Sequence, residues 1–363
     1  IFALSKISKL FVIARNSSFT YKGKPVHVQQ VGRELGVRYV LEGSIQKSGD
    51  RLRVTAQLID ATTGAHLWSE SYVRELKDIF AVQDDITKNI VSAMQVKLTE
   101  GEQARVAASG TNNLEAYLRC LQSKEYLLKG NPESNALGKQ LAEEAIALDP
   151  EYAFAYRELS AAHMMDVWLR SSKSPKASTA KAIELVQQAI VLDDTFAEAH
   201  GWLGFLYSMT KQYDQGIAQA EKAVALNPNS AESHYRLGKT LSLAGRWEES
   251  IPEFEKAMRL NPIPPNMYLW SLGMSYWGMG QYEEAIPWGK KAVRQEPNSL
   301  LARVWMAAIY VSSGREEEAR AEAAEVLRIN PKFSVKKYEK RASFKKKEDN
   351  EQFIGALRKA GLT

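Results

Sequence analysis

The sequence predicts a small α+β domain followed by an all-α solenoid of stacked helical hairpins. Residues 51–58 alternate polar and apolar side chains, which is the period-2 pattern of a half-buried strand. Further along, Pro228, Pro262, Pro297 and Pro331 recur at steps of 34, 35 and 34 residues. The segments between these prolines place small and large apolar residues at the same positions. Stacked hairpins bury their apolar faces together and present a binding surface, so this part of the chain favours a binding function.

The first 99 residues predict the α+β domain, because helical and alternating patterns are interspersed there. Ser48-Gly49-Asp50 and residues 60–64 are turn sequences that separate extended segments. The predicted elements are a helix in 1–10, a strand in 11–14, a helix in 26–35, strands in 38–46, 51–58 and 65–72, and a helix in 78–98.

The repeats that follow each predict two antiparallel helices that cross at small residues. Small side chains at the crossing let the two backbones approach, and large apolar residues fill the holes beside them. The closing proline cannot continue a helix, so it starts the next unit. The small residues recur as Gly204, Gly238 and Gly273 in the first helix, and as Ala223, Ala257 and Ala292 in the second. This pattern resembles the tetratricopeptide repeat, whose period is about 34 residues.

Two more repeats are predicted upstream, because residues 145–150 and 189–194 resemble the other repeat endings. The second of these repeats, which ends at 189–194, is about ten residues longer than the others. A long loop in 164–178 is expected to contain the extra residues. After the last repeat the pattern breaks, and an amphipathic segment at 351–357 is expected to cap the final hairpin. The predicted domains are 1–99, an array of about six repeats at 113–331, and a basic cap at 332–363.

Three segments carry a second resemblance: Phe11-Val12-Ile13-Ala14-Arg15-Asn16-Ser17-Ser18-Phe19, residues 31–44 and residues 57–68. They resemble the TolB/FlgO-like domain that follows the catalytic domain in many bacterial class III adenylate cyclases. Tetratricopeptide repeats come next in that family, and residues 333–335 and 353–362 are similar to its ending. The resemblance implies a catalytic domain upstream, and the Ile at position 1 leads us to expect a fragment that starts inside the first helix of the domain. The same module also ends some membrane-anchored winged-helix regulators.

Composition excludes several classes of protein. The net charge of +5 is too small for the usual footprint of a nucleic-acid-binding protein. A single cysteine excludes an intrachain disulfide and suits a reducing compartment. No apolar run approaches the roughly 18 residues that a membrane-spanning helix requires, so no membrane span is expected. We therefore expect a cytoplasmic protein, with the periplasm as the alternative for a parent that is anchored upstream.

Candidate catalytic or metal-binding residues are few, and a structural role is favoured for each. Asp84-Asp85 is expected to be a solvated pair near the start of a helix. Gly278-Met279-Gly280 lacks the third glycine of a phosphate loop and falls at the turn of a repeat. His200 and His234 are 34 residues apart, but no acid or cysteine cluster completes a zinc site. Cys120 is expected to be a buried thiol, because no histidine partner for a nucleophile is apparent.

A basic stretch near the carboxyl terminus is interpreted as a solvated cap rather than a lipid or nucleic-acid site, since few aromatics interleave it. Its members are Lys332, Lys336, Lys337, Lys340, Arg341, Lys345, Lys346 and Lys347.

The most prominent candidate surface is a groove along the first helices of the hairpins. Aromatic and methionine side chains are enriched at partner-binding surfaces, although packing between repeats would use the same residues. Arg236 and Lys239 are the only basic residues at these positions, too few for a carboxylate clamp. An apolar or helical ligand is therefore expected. The predicted groove residues are Trp202, Phe205, Met209, Tyr235, Arg236, Lys239, Trp270, Met274, Trp277 and Trp305.

The sequence thus predicts a non-catalytic interaction and regulatory module of a bacterial adenylate cyclase-type signalling protein. The alternative is a periplasmic or cytoplasmic sensor or binding segment of a winged-helix transcription regulator. The expected partner is a protein or peptide, either the upstream catalytic domain or a second copy of the chain. Neither a cofactor, a metal nor a nucleic acid is expected.

Overall fold

The structure, a computed structural model, describes residues 1–94, 110–339 and 344–363. These residues form two compact units, one of 1–196 with 227–229 and the other of 197–226 with 230–363. Within residues 1–94, the amino-terminal part of the first unit contains three helices, then a three-stranded antiparallel sheet in the order β1-β2-β3, then a fourth helix. Its elements are α1 (Phe2–Ser5), α2 (Arg15–Phe19), α3 (Val28–Leu35), β1 (Tyr39–Ser48), β2 (Arg51–Asp60), β3 (His66–Glu75) and, after a 3-10 turn, α4 (Ile79–Ala93).

The sheet confirms the three consecutive strands that the alternating pattern predicts. Leu52 and Val54 of β2 point to one face, where Tyr72 of β3 and Val82 of α4 complete a buried cluster. Val54 lies opposite Tyr72 in the antiparallel register. Alternation therefore predicted the buried face of β2, because successive side chains of a strand point to opposite faces.

The strand predicted at 11–14 is wrong. In the described chain these residues pair with no strand, and α2 begins directly after them at Arg15. Ile13 is instead buried against Val31 and Leu35 of α3. The run is apolar because it packs on a helix, and a short apolar run does not distinguish these two environments.

In the described ranges, six helical hairpins follow. Ser174 caps one helix by accepting a hydrogen bond from Ala177, and a proline occupies the first helical position there. The first unit contains α5 (Leu114–Leu127), α6 (Pro132–Leu148), α7 (Ala153–Trp168) and α8 (Pro175–Leu192). The second contains α9 (Ala197–Met209), α10 (Tyr213–Leu226), α11 (Ala231–Leu243), α12 (Trp247–Leu260), α13 (Asn266–Gly278), α14 (Tyr282–Gln295), α15 (Leu300–Ser312) and α16 (Glu316–Ile329).

The long loop predicted at 164–178 is also wrong. Helix α7 continues to Trp168 and α8 already begins at Pro175, so residues 169–174 alone connect them. These helices have 16 and 18 residues, compared with 13 and 14 in the next hairpin. The extra residues therefore lengthen both helices, by three and four residues, and the connection between them, which has six residues compared with three at 210–212. The Ser174-Pro175 pair, interpreted from the sequence as loop, is a helix start.

The crossing of each hairpin depends on small residues, as the repeat pattern predicts. A Cβ added at Gly204 would lie 2.6 Å from the carbonyl oxygen of Gly216. The equivalent glycine of the next hairpin, Gly238, leaves 3.0 Å to the ring of Phe254, and Gly273 leaves 3.3 Å to the carbonyl oxygen of Ala285. At this equivalent position, the space available for a side chain is therefore smallest at the α9–α10 crossing and larger in the two hairpins that follow.

The turn inside each of the last four hairpins contains one residue with positive φ. Lys211, Gly245, Gly280 and Gly314 have φ of 67°, 75°, 75° and 76°. Gly280 belongs to the Gly278-Met279-Gly280 sequence, which is therefore a hairpin turn, where glycine adopts this conformation without a Cβ penalty.

Candidate functional site

The predicted groove residues lie on the first helices of the last four hairpins, namely α9, α11, α13 and α15. Trp202, Arg236 and Trp305 occupy one equivalent position, two residues before the small residue of the crossing in α9, α11 and α15, whereas Trp270 lies three residues before Gly273 in α13. We call the ten predicted residues the groove face.

Most of the groove face is buried. Its six aromatic side chains and Met274 are between 1% and 8% exposed. Met209, Arg236 and Lys239 keep intermediate exposure. The apolar members are thus packing residues of the array in this state, and their role in binding a partner stays a prediction.

The positive charge of Arg236 is balanced by neighbouring side chains. Its guanidinium lies 4.7 Å from the ring centroid of Trp202 and 5.1 Å from that of Phe205. Its Nε donates to a carboxylate oxygen of Glu232 at 2.7 Å. Beside it, the Tyr235 and Tyr268 rings stack at 4.4 Å. Arg236 therefore joins neighbouring hairpins through cation–π contacts while Glu232 balances its charge.

Lys239 has a different environment. Its Nζ lies 4.4 Å from the ring centroid of Trp270 and 3.5 Å from the sulfur of Met274. Within 1–94, 110–339 and 344–363, no carboxylate forms an ion pair with it. Burial, and then the neighbouring Arg236 charge, lower the pKa of Lys239 to about 7.

One end of the groove face is covered by the chain's own carboxyl-terminal segment, residues 344–363, which contains α18 (Lys347–Lys359). The ring centroids of Phe353 and Trp305 are 4.2 Å apart, and Phe353 lies 5.9 Å from Trp277. Phe344 packs on Trp247 at 5.2 Å. The segment caps the array, as expected from 351–357, and it does so by burying aromatic residues of the groove face.

The polar contacts of this segment are made with residues that lie just after the turns inside the hairpins. The Lys345 Nζ pairs with Asp214 at 3.1 Å, and the Trp247 indole donates to Asp349 at 2.9 Å. Gln352 donates to the Tyr282 hydroxyl at 3.0 Å. Lys359 pairs with Glu316 at 3.0 Å. Their array partners Asp214, Trp247, Tyr282 and Glu316 lie at the starts of the second helices of four successive hairpins.

The basic stretch is partly engaged in these contacts. Lys345 pairs with Asp214, while Lys346 and Lys347 are exposed on α18 or just before it. Lys336 and Lys337 lie on the short helix α17 (Val335–Glu339). Lys340 and Arg341 lie outside the described residues.

Sequence reasoning missed Trp247 and Phe344, and it placed Phe353 in a capping segment without predicting its contact with the groove face. Trp247 could have been found, because it shares a repeat position with Tyr213 and Tyr282, all aromatic. Phe344 and Phe353 carry no comparable signal, because they lie outside the repeat period.

The remaining candidates have structural environments. His200 Nδ1 forms a hydrogen bond with Gln219 at 2.6 Å, and His234 Nδ1 forms the equivalent bond with Glu253 at 2.6 Å. Cys120 is fully buried, and burial raises the pKa of its thiol. Among the described residues, no three His, Cys, Asp or Glu side chains form a group that could hold a metal ion, and the Asp84-Asp85 pair lies on α4.

The helices of the described ranges include none that is both long and apolar enough to cross a membrane.

Comparison with protein families agrees with the hairpin architecture. Family models described as tetratricopeptide repeat match residues 197–230, 220–251 and 276–337. These parts of the chain are therefore tetratricopeptide repeats.

One relative is a protein of Rhizobium meliloti (strain 1021) named "Putative adenylate cyclase 3". It is 42% identical over 212 residues, which cover 58% of this chain and 36% of the relative. The chain thus spans about a third of the length of the curated relative that it matches.

Part of the chain is also similar to solved structures. A thermophilic tetratricopeptide-repeat protein of Thermus thermophilus is 20% identical with a TM-score of 0.43, covering 57% of this chain and 99% of that one. Pseudomonas aeruginosa pilF is 15% identical with a TM-score of 0.44, covering 60% and 93%.

Proposed function

We propose that this chain is the non-catalytic interaction and regulatory part of a bacterial adenylate cyclase-type signalling protein. Tetratricopeptide repeats support a protein-binding role. The 42% identity with part of a protein named as an adenylate cyclase supports an adenylate cyclase as the parent protein. In this proposal residues 1–99 are the TolB/FlgO-like domain, 113–331 the binding array and 332–363 its basic cap.

The observation that carries the proposal is that the array already holds an amphipathic helix. Helix α18 is bound through ring contacts of Phe353 with Trp305 and Trp277, and polar contacts surround them. A surface that binds one such helix by aromatic packing has the chemistry to bind another. We infer that the partner is a protein, and that it approaches along the groove face next to α18.

Titration of the chain with the catalytic domain of the parent protein tests this proposal. Trp270→Ala is expected to weaken binding about tenfold or more, because aromatic side chains in part-desolvated surfaces carry much of the binding energy. Calorimetry gives the affinity, and circular dichroism checks the fold. Trp168→Ala is the matched control, since this tryptophan lies on α7 outside the groove face and is 38% exposed. Equal affinities of the two variants would place the partner on another surface.

The purified chain is expected to form no cyclic AMP from ATP with Mg²⁺ or Mn²⁺. The sequence carries no stretch that resembles a cyclase catalytic domain, and the candidate acids Asp84 and Asp85 lie side by side on one helix. The measurement is a coupled assay on protein from a host that lacks its own cyclase. Metal-dependent turnover that co-purifies with the chain would contradict the non-catalytic assignment.

A further inference from the structure

We propose that residues 11–24 of the amino-terminal domain bind the surface of an anionic lipid bilayer. The surface that carries this role is called the basic face, and it consists of Phe11, Arg15, Phe19, Lys22 and Lys24. The proposal goes beyond the protein-binding role of the array, because it assigns a lipid partner to another part of the chain.

The excess positive charge of the chain lies in its first 33 residues. Residues 1–33 contain six Lys and Arg but no Asp or Glu, whereas residues 34–363 contain 42 Lys and Arg and 43 Asp and Glu. Of the six basic side chains, Lys6 is buried and the other five are exposed. A local excess of this kind attracts a surface of opposite charge, even though the net charge of the whole chain is small.

Helix α2 presents Arg15 and Phe19 on its outer side. Ile13 and Ser17 are buried, and Ile13 packs on α3, which holds this part of the chain against the domain. Arg15 is exposed, and Phe19 is 46% exposed. The Arg15 guanidinium carbon lies 4.7 Å from the Phe19 ring centroid, as expected for residues four apart on one side of a helix. The exposed side of α2 therefore pairs a cation with an apolar ring.

The turn after α2 adds two more exposed cations within five residues of Phe19. The Lys22 ammonium lies 5.8 Å from the Phe19 ring centroid. The Lys22 N–H donates to the Phe19 carbonyl oxygen at 3.1 Å, and the Lys24 N–H donates to the Tyr21 carbonyl oxygen at 3.1 Å. These hydrogen bonds keep the turn compact, so both lysines follow directly on the exposed ring.

The charge of these cations is not neutralised within the described part of the chain. There, none of Arg15, Lys22 and Lys24 forms an ion pair. Glu34 is the first acidic residue of the sequence, and its carboxylate accepts hydrogen bonds from the Tyr21 hydroxyl at 2.5 Å and from the side-chain amide of residue 30 at 2.7 Å. Both donors are neutral, so the basic face keeps its positive charge.

A ring flanked by cations suits the interfacial region of an anionic bilayer. Lys and Arg are attracted by the negative surface potential, and an apolar ring leaves water when it enters the boundary between headgroups and acyl chains. Phe11 supplies a second ring, which is 37% exposed and lies four residues before Arg15. The association is peripheral, because α2 has five residues, far fewer than a bilayer-spanning helix requires.

A single-stranded nucleic acid is another polyanion, but the geometry around Phe19 favours the bilayer. Bases bind aromatic side chains by stacking on an open ring face. Arg15 and Lys22 already lie over the Phe19 ring. A base would have to displace these cations, whereas entry into a bilayer leaves them beside the ring and in contact with headgroups.

Co-sedimentation with lipid vesicles tests the proposal on the full chain. One set of vesicles contains equal parts of phosphatidylglycerol and phosphatidylcholine, and the reference set contains phosphatidylcholine alone. The chain is expected to bind the anionic vesicles at least about tenfold more tightly, because each cation near the surface adds to the attraction. Added salt should weaken this binding, since it screens the charges. Equal binding to both sets, or binding to neither, would overturn the proposal.

Paired substitutions locate the site. Lys22→Gln is expected to weaken binding to the anionic vesicles about fivefold by removing one cation. Its control is Lys222→Gln, at an exposed lysine of α10, which should bind like the wild type. Phe19→Ala is also expected to cost about fivefold, because the ring no longer enters the interface. Its control is Leu128→Ala, at a leucine that is 79% exposed outside the basic face.

Circular dichroism checks the fold of all four variants. If each control weakens binding as much as its counterpart, the basic face is not the lipid site and the proposal is wrong.

A labelled single strand of thymidine nucleotides provides the last comparison. We expect Phe19→Ala to leave any binding of this strand unchanged. If Lys22→Gln and Phe19→Ala weaken binding of the strand and leave vesicle binding intact, the basic face is a nucleic-acid site and the lipid assignment is refuted. The protein partner of the array takes no part in these assays, so their outcome does not depend on the proposed function.

Discussion

Replacing Phe353 with alanine is expected to lower the free energy of unfolding by about 3–5 kcal/mol. Phe353 is 2% exposed, and its ring contacts Trp305 at 4.2 Å and Trp277 at 5.9 Å. Truncation removes this ring from the cluster and leaves a cavity that the surrounding tryptophans can close only in part. Urea unfolding followed by tryptophan fluorescence measures the loss, and the emission of the folded variant should shift to the red as Trp305 gains water.

Gly355→Ala on the same helix is the control. Its side chain would point into open space, since no atom lies within 4 Å of the added Cβ. Alanine in place of a helical glycine should stabilise α18 by about 0.5–1 kcal/mol. Similar losses in Phe353→Ala and Gly355→Ala would mean that α18 tolerates no change at all, and the specific role of the Phe353 ring would be refuted.

Gly204→Ala is expected to destabilise the second unit by several kcal/mol, the other large effect. The added Cβ would lie 2.6 Å from the carbonyl oxygen of Gly216 and 2.9 Å from the backbone nitrogen of Ala220. Both atoms belong to the backbone of α10, so relief requires the two helices to separate. Because each hairpin packs on the next, the damage should spread beyond α9 and α10.

The same substitution at equivalent positions provides a graded comparison. Gly238→Ala meets the Phe254 ring at 3.0 Å, and Gly273→Ala meets the Ala285 carbonyl oxygen at 3.3 Å. The losses should therefore decrease in the order Gly204, Gly238, Gly273. Thermal unfolding by circular dichroism measures all three, and an inverted order would show that hairpin crossings relax independently of this contact.

The sequence predicted the hairpins well because the residue pattern that specifies them is local and recurs in each repeat. Small residues at Gly204, Gly238 and Gly273 mark a crossing that every hairpin shares, and the alternation at 51–58 marks one buried face of the sheet. The errors arose where the local pattern fits two environments. An apolar run such as 11–14 is compatible with a strand and with a coil that packs on α3. The Ser174-Pro175 pair is likewise compatible with a loop and with the start of a helix.

The groove was predicted only in part. Repeat spacing placed Trp270, Trp277 and Trp305 on one set of helices correctly. It could not show that residues 344–363 cover two of them, because contacts such as Phe353 with Trp277 are non-local and not periodic. The same limit applies to Lys239, since the absence of a balancing carboxylate in the described chain depends on how Glu232, Arg236 and Tyr268 pair in three dimensions.

The contacts of the carboxyl-terminal segment have a mechanical consequence. Asp349 binds the fourth hairpin at Trp247, and Lys359 binds the sixth at Glu316. The two residues are ten apart on one helix, which fixes a rise of about 15 Å between them. This helix has a constant length, and side-chain contacts attach it to the array at both ends. Both contacts oppose a change in the spacing of the last three hairpins, so bending in this part of the array is expected to weaken or break them.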